Sequence, residues 1–188
     1  MMTERDICRG CQRGNPIAQR ELFDRYSPVL MAVIYRYVSD DDDAKDVLQD
    51  TFIKAYDSIG RFAWGGDNSL RAWLTRIAVN TSLNHLRDNK RLTGSAVPVE
   101  MLGEPPDQED DELSSDIKNL DVSTILELVA QLPDGYRTVF NMSCLDGYSH
   151  QEIAQQLGIN EKSSSSQLAR AKVLLARKIR EYINEQNK

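Results

Sequence analysis

Arg76, Asn80, Asn84 and Arg87 fall within a narrow arc when the chain is wound at 100° per residue. Two guanidinium groups and two carboxamides on one stripe are donors suited to phosphates and base edges. Trp73 lies beside them, and the loop before it carries Phe62, Trp64, Asp67 and Asn68. Aromatic rings beside a basic groove suit the stacking of unpaired bases. Taken alone, the same stripe also reads as a solvated polar face over a buried Trp73.

A second constellation runs from Tyr148 to Ile159 and on to Lys172. Ser149 and Glu152 have the spacing of a capping box, which starts a helix with its first amides satisfied. Ile153, Ala154 and Leu157 give that helix an apolar face. Gly158 can end it in the left-handed conformation, Ile159 can fill the angle, and Asn160 can cap a second helix. On that second helix Ser164 shares a side with Leu168, Ala171 and Leu175 and should face the core. Lys162, Ser163, Ser165, Ser166 and Ala169 should be available to DNA, with Arg170 at the edge and Ser149 at the head of the first helix. The pattern predicts a helix-turn-helix whose second helix enters a major groove. Serines make short, adaptable bonds rather than bidentate guanine contacts, so direct readout should be weak and DNA shape important.

Catalytic readings find less support. Cys8 and Cys11 form a Cys-x-x-Cys pair, which is half a zinc site or a redox dithiol. Zinc would need two more ligands, and only Cys144, His85 and His150 remain, all distant in sequence. No strand pattern flanks the pair. The plainer reading is two small residues on an N-terminal helix, with both histidines at the surface or in caps. There are no paired catalytic acids, no Ser-His-Asp set and no Gly-rich phosphate loop. The expectation is a binding protein with no catalytic group, metal or cofactor.

Charge agrees once it is mapped. The net charge is −6, an unpromising figure for a DNA binder. Nine acids between Glu100 and Asp121 stand against Lys118 alone, which leaves the rest of the chain at +2. Five bases and one acid lie between Arg71 and Arg91, and seven bases and two acids between Lys162 and Lys188. Local charge governs phosphate contact, so two basic patches flank one acidic tract. Three cysteines suit a reducing compartment. No signal peptide and no apolar run long enough to cross a bilayer are visible. The expected location is the cytoplasm, without membrane insertion.

These patches need scaffolds, and the periodicity supplies helices only. Pro16 suits a helix start after Gly14-Asn15. Leu22, Phe23, Tyr26, Leu30, Val33, Ile34 and Tyr37 then recur at helical spacing. Asp40 to Asp43 favour the N-terminus of the next helix, which carries Ala44, Val47, Leu48, Thr51, Phe52 and Ala55. A third helix is predicted from about Leu70 to Arg87. Thr93 to Leu120 has a linker composition of prolines, acids and serines. Val122, Ile125, Leu126, Val129 and Leu132 predict a short amphipathic helix stopped by Pro133, followed by another from Asp134 to Leu145. The expected fold is all-α: two small helical domains, residues 1–92 and 121–188, joined by an acidic flexible linker at 93–120, the second domain a helix-turn-helix.

Three motifs in order carry a resemblance. They are Ala44-Lys-Asp-Val-Leu-Gln-Asp-Thr-Phe-Ile-Lys-Ala-Tyr56, Ala72-Trp-Leu-Thr-Arg-Ile-Ala-Val-Asn80, and Leu132-Pro-x-x-x-Arg-x-x-Phe140 leading into Gly147-Tyr-Ser-x-x-Glu-Ile-Ala154. Together they resemble regions 2 and 4 of extracytoplasmic-function sigma factors of the sigma-70-like family. The resemblance implies a dissociable specificity subunit of RNA polymerase. Asp46, Gln49 and Asp50 would dock on the clamp helices of the beta-prime subunit. The third helix and its preceding loop would read and open the minus-ten element, with a base flipped into the loop. The helix-turn-helix would read the minus-thirty-five element and touch the beta flap. An anti-sigma factor is an implied partner. The chain departs from the family in its longer loop, Phe62-Ala-Trp-Gly-Gly-Asp-Asn-Ser-Leu70. It departs again at Lys162-Ser163 and Ser165, where members commonly carry Gly-Thr and a base. A different reading of the same residues is a helix-turn-helix regulator that dimerises on a palindrome without polymerase.

Overall fold

The computed structural model describes residues 2–93 and 120–186. The predicted linker at 93–120 therefore lies almost wholly outside the described residues. All regular elements among the described residues are helical, and the chain divides into two compact units, Met1–Ala96 and Val97–Lys188.

Among the described residues the first unit has four α-helices, α1 (Glu4–Gln12), α2 (Pro16–Ile34), α3 (Asp41–Ser58) and α4 (Ser69–Thr93), and a single 3-10 turn at Ile59–Arg61. Their starts are written in local chemistry. Thr3, Asn15 and Asp40 each sit in extended backbone and accept from amides of the following turn, each such cap contributing about 1 kcal/mol. Pro16 occupies the first turn of α2, where its missing N–H costs nothing. The predicted core face of α3 is buried residue for residue: Ala44, Val47, Leu48, Thr51, Phe52 and Ala55. It packs on α4 and α2, while α1 lies against α2.

Two expectations change here. Phe23 was expected on the core face of α2 but is 42% exposed, at the rim, with its ring 4.7 Å from Phe52. Phe23 points within the buried arc of α2, between Leu30 and Ile34, so its exposure comes from its place along the helix and not from its face. The third helix runs on to Thr93 rather than ending near Arg87. Nothing between Asp88 and Thr93 breaks a helix, and the first glycine comes at position 94.

The second unit contains α5 (Val122–Ala130), α6 (Asp134–Phe140) with a wider π-type turn at Asn141–Leu145, α7 (His150–Leu157) and α8 (Glu161–Gln186). Leu128, Val129, Leu132, Tyr136, Ala171, Leu175 and Ile179 form its core. The predicted face of α5 is corrected: Val122 is 72% and Leu126 37% exposed, while Leu128 is buried. Packing against α8 selects the stripe of Ile125, Leu128, Val129 and Leu132. Val122 and Leu126 lie together on the flank of that stripe and stay exposed. Among the described residues no helix is long and apolar enough to cross a membrane.

Candidate nucleic-acid interface

The four-residue stripe exists on α4. Arg76, Asn84 and Arg87 are exposed, and Asn80 is half-buried. Arg87 Nη2 donates to Asn84 Oδ1 over 2.9 Å, so these two present a joined donor group. Asn80 is less available, because its Oδ1 is buried and takes no hydrogen bond within the protein. On its inner side α4 is anchored by Leu70, Leu74, Ala78, Val79 and Leu83.

The loop before α4 meets the side of that helix through an aromatic contact. The rings of Phe62 and Trp73 are 4.9 Å apart and tilted by 38°, an arrangement favourable to aromatic pairs. Phe62, Trp64 and Trp73 are all half-buried, so part of each ring stays open, and Asp67 and Asn68 are exposed. Gly66 (φ 107°) and Asn68 (φ 66°) take left-handed backbone, which asparagine tolerates better than other side chains. Ser69 Oγ pins the bend, donating to Gly66 O at 2.6 Å and accepting from Gly65 N–H at 3.2 Å.

Two residues that sequence reasoning missed hold this loop from α1. Glu4 Oε2 accepts from Asn68 N–H at 2.8 Å, and its Oε1 accepts from Arg71 N–H at 3.2 Å and Tyr26 O–H at 3.1 Å. A carboxylate from a distant helix thus caps the positive N-terminus of α4. Burial, reinforced by the Glu4 bond, pushes the Tyr26 phenol up to about 12. Gln12 Nε2 donates to the carbonyls of Ile59 and Phe62 at 3.2 and 2.9 Å. No local pattern could have shown this, since the partners are tens of residues apart.

The helix-turn-helix of the second unit forms as its residues dictate. Ser149 Oγ accepts from Glu152 N–H, and the Glu152 carboxylate accepts from Ser149 N–H at 2.9 Å. The Ser149 hydroxyl also donates to that carboxylate, so Ser149 is committed to the cap. Gly158 ends α7 at φ 67°, and Asn160 Oδ1 accepts from Ser163 N–H at 2.6 Å. Ser164 is fully buried and shares a 2.9 Å hydrogen bond with His150 Nδ1. Lys162, Ser165, Ser166 and Ala169 are exposed, while Ser163 and Arg170 are half-buried. Arg170 keeps its Nε buried without a partner in the protein. Gln167 is buried as well, a contact the periodicity did not single out.

On α3, Asp46, Gln49 and Asp50 are exposed together, and the helical repeat adds Ile53, 57% exposed, to their face. That is a polar ridge with one apolar contact. The cysteine pair goes elsewhere. Cys8 and Cys11 are buried on α1, and burial raises both thiols, Cys11 to about 11. Reactive thiols move the other way.

Comparison with known proteins agrees in order and extent. The model described as Sigma-70 region 2 matches residues 22–92, and that described as Sigma-70, region 4 matches residues 123–175. The RNA polymerase sigma-H factor of Pseudomonas aeruginosa is 29% identical over 191 residues, covering 97% of this chain and 96% of the relative. The ECF RNA polymerase sigma-E factor of Haemophilus influenzae is 29% identical over 198 residues, covering 95% and 96%. Among solved structures, the sigma factor RpoE in complex with the anti-sigma factor NepR from Bartonella quintana has a TM-score of 0.50 at 22% identity, covering 84% of this chain and 94% of that one. CnrH in complex with the cytosolic domain of CnrY has a TM-score of 0.49 at 24% identity, covering 93% and 95%.

Proposed function

The chain belongs to the sigma-70 family as an extracytoplasmic-function sigma factor, a non-catalytic subunit that directs RNA polymerase to promoters, and on that premise we propose how its surfaces divide the work. The ridge of Asp46, Gln49, Asp50 and Ile53 on α3 docks on the clamp helices of beta-prime. The stripe of Arg76, Asn80, Asn84 and Arg87 on α4 holds the minus-ten element. The loop of Phe62, Trp64, Asp67 and Asn68, with Trp73 behind it, receives a base flipped from the non-template strand. Flipping costs a few kcal/mol of unstacking, offset by stacking and hydrogen bonds in the loop, so binding energy opens the duplex without ATP.

In the second unit, Lys162, Ser163, Ser165, Ser166, Ala169 and Arg170 enter the major groove of the minus-thirty-five element. Ser149 acts there chiefly as the cap that aims the motif. The same unit touches the beta flap. These steps take place in the cytoplasm. A further partner is an anti-sigma factor that covers the α3 ridge and the outward face of α8.

The observation that supports the minus-ten assignment most directly is the Phe62–Trp73 contact, which joins the aromatic loop to the polar stripe. The test is transcription by core polymerase on a promoter library, with and without this protein. New start sites sharing two short upstream elements support the assignment. In the same assay, Trp64→Ala and Arg76→Ala should lower open-complex formation more than core binding. Asp46→Ala with Asp50→Ala should lower core binding itself. Equal losses in both steps from either set would refute this division.

A further inference from the structure

The first helix touches the proposed base-capture loop at both of its ends. At the entry, Gln12 places its carboxamide nitrogen on the carbonyls of Ile59 and Phe62, using both amide hydrogens. At the exit, the Glu4 carboxylate takes the amides of Asn68 and Arg71. The two residues stand at opposite ends of one nine-residue helix, about 12 Å apart at 1.5 Å per residue.

That helix is itself immobilised. Ile7, Cys8 and Cys11 are buried, and Thr3 caps its start. Gly10 lies so close to α2 that a Cβ there would stand 2.4 Å from Ala18 Cβ. The buried Tyr26 phenol holds the Glu4 carboxylate in place from α2. Between the two ties the segment from Ala63 to Asp67 has two glycines and little packing of its own. Left alone, it would have to be ordered on binding, at a cost taken from the affinity.

We infer that α1 straps the minus-ten loop at both ends, with Gln12 and Glu4 acting as positioning residues that preset it for base capture. The inference rests on the reading that this loop holds a flipped base. The strap acts on capture and leaves the α3 ridge alone.

The test uses the full chain bound to core polymerase and a forked promoter DNA whose minus-ten non-template strand is single. Each minus-ten position is made abasic in turn. Glu4→Gln keeps the shape of the side chain and removes its charge. Gln12→Ala changes an exposed position and leaves the helix intact, so the proposal does not hang on one variant. Both should bind the intact fork roughly three- to tenfold more weakly. The loss should vanish when the captured position is abasic, and core affinity should be unchanged. A loss that persists on abasic DNA would mean general loosening of the unit and would overturn the strap. So would binding by both variants that equals wild type. Trp64→Ala separates the two ideas. If it shows the abasic-dependent loss and the strap variants do not, only the strap fails. If the unmodified protein senses no abasic position, base capture fails and the strap with it.

Discussion

Ser164 is a polar residue at a fully buried position, and its partner is what makes that tolerable. Its hydroxyl meets His150 Nδ1 at 2.9 Å and ties α7 to α8. An unpaired hydroxyl there would keep its desolvation penalty. Ser164→Ala leaves His150 short of one bond and should cost about 1 kcal/mol, read from denaturant unfolding of the second unit. Cys11 makes a different claim on pH. Its ordinary value is 9.0 and the folded value about 11, raised first by burial. Folding therefore favours the protonated thiol. The contribution is fully present below pH 9 and is lost as pH rises from about 9 to about 11. The first unit should lose stability across that window, and Cys11→Ala should flatten the loss. Thiol labelling at neutral pH should reach the exposed Cys144 well before Cys8 and Cys11, which react only on unfolding.

Between helices, small residues decide how closely elements approach. Gly10 faces Ala18 across the α1–α2 contact with no room for a Cβ. Gly10→Ala should push the helices apart and destabilise the first unit by about 1–3 kcal/mol. Adding Ala18→Gly should restore part of the loss, a coupling that a double-mutant cycle in denaturant measures. The capping box of α7 is the matching device in the second unit. Ser149→Ala removes the acceptor for Glu152 N–H and should cost about 1 kcal/mol. Because this serine is occupied by the cap, its loss should weaken minus-thirty-five binding by loosening the motif. Lys162→Ala, by contrast, should weaken binding through charge, with a smaller salt dependence as its signature.

At the scale of the whole molecule, charge is distributed against its own total. A chain at −6 carries two basic patches, and nine of its 29 acids are gathered in the tract from Glu100 to Asp121. Replacing that tract with a neutral linker of equal length removes the repulsion it exerts on DNA phosphates. Free protein should then bind promoter DNA several-fold more tightly at low salt, with the difference fading as ionic strength rises. Equal affinity at low salt would show that the tract tethers the units without affecting DNA binding.

The helices, their caps and most of their buried faces were legible because each depends on contacts within one turn. Asn15, Asp40, Ser149, Gly158 and Asn160 could be placed from near neighbours alone, and the buried stripe of α3 follows from a 3.6-residue period. The sequence by itself also determined that Ser164 turns inward, whereas the partial burial of Asn80 within the α4 stripe came from packing. Only tertiary structure decided which apolar residues stay outside. Val122 stays on the open flank of its helix, and Phe23 is left at a rim. It alone decided that Glu4 and Gln12 serve a loop some fifty to seventy residues away. A helix period says which way a side chain leaves its own axis. What it meets there depends on how close the next axis comes, and Gly10 and Ala18 set that distance from opposite sides of a contact.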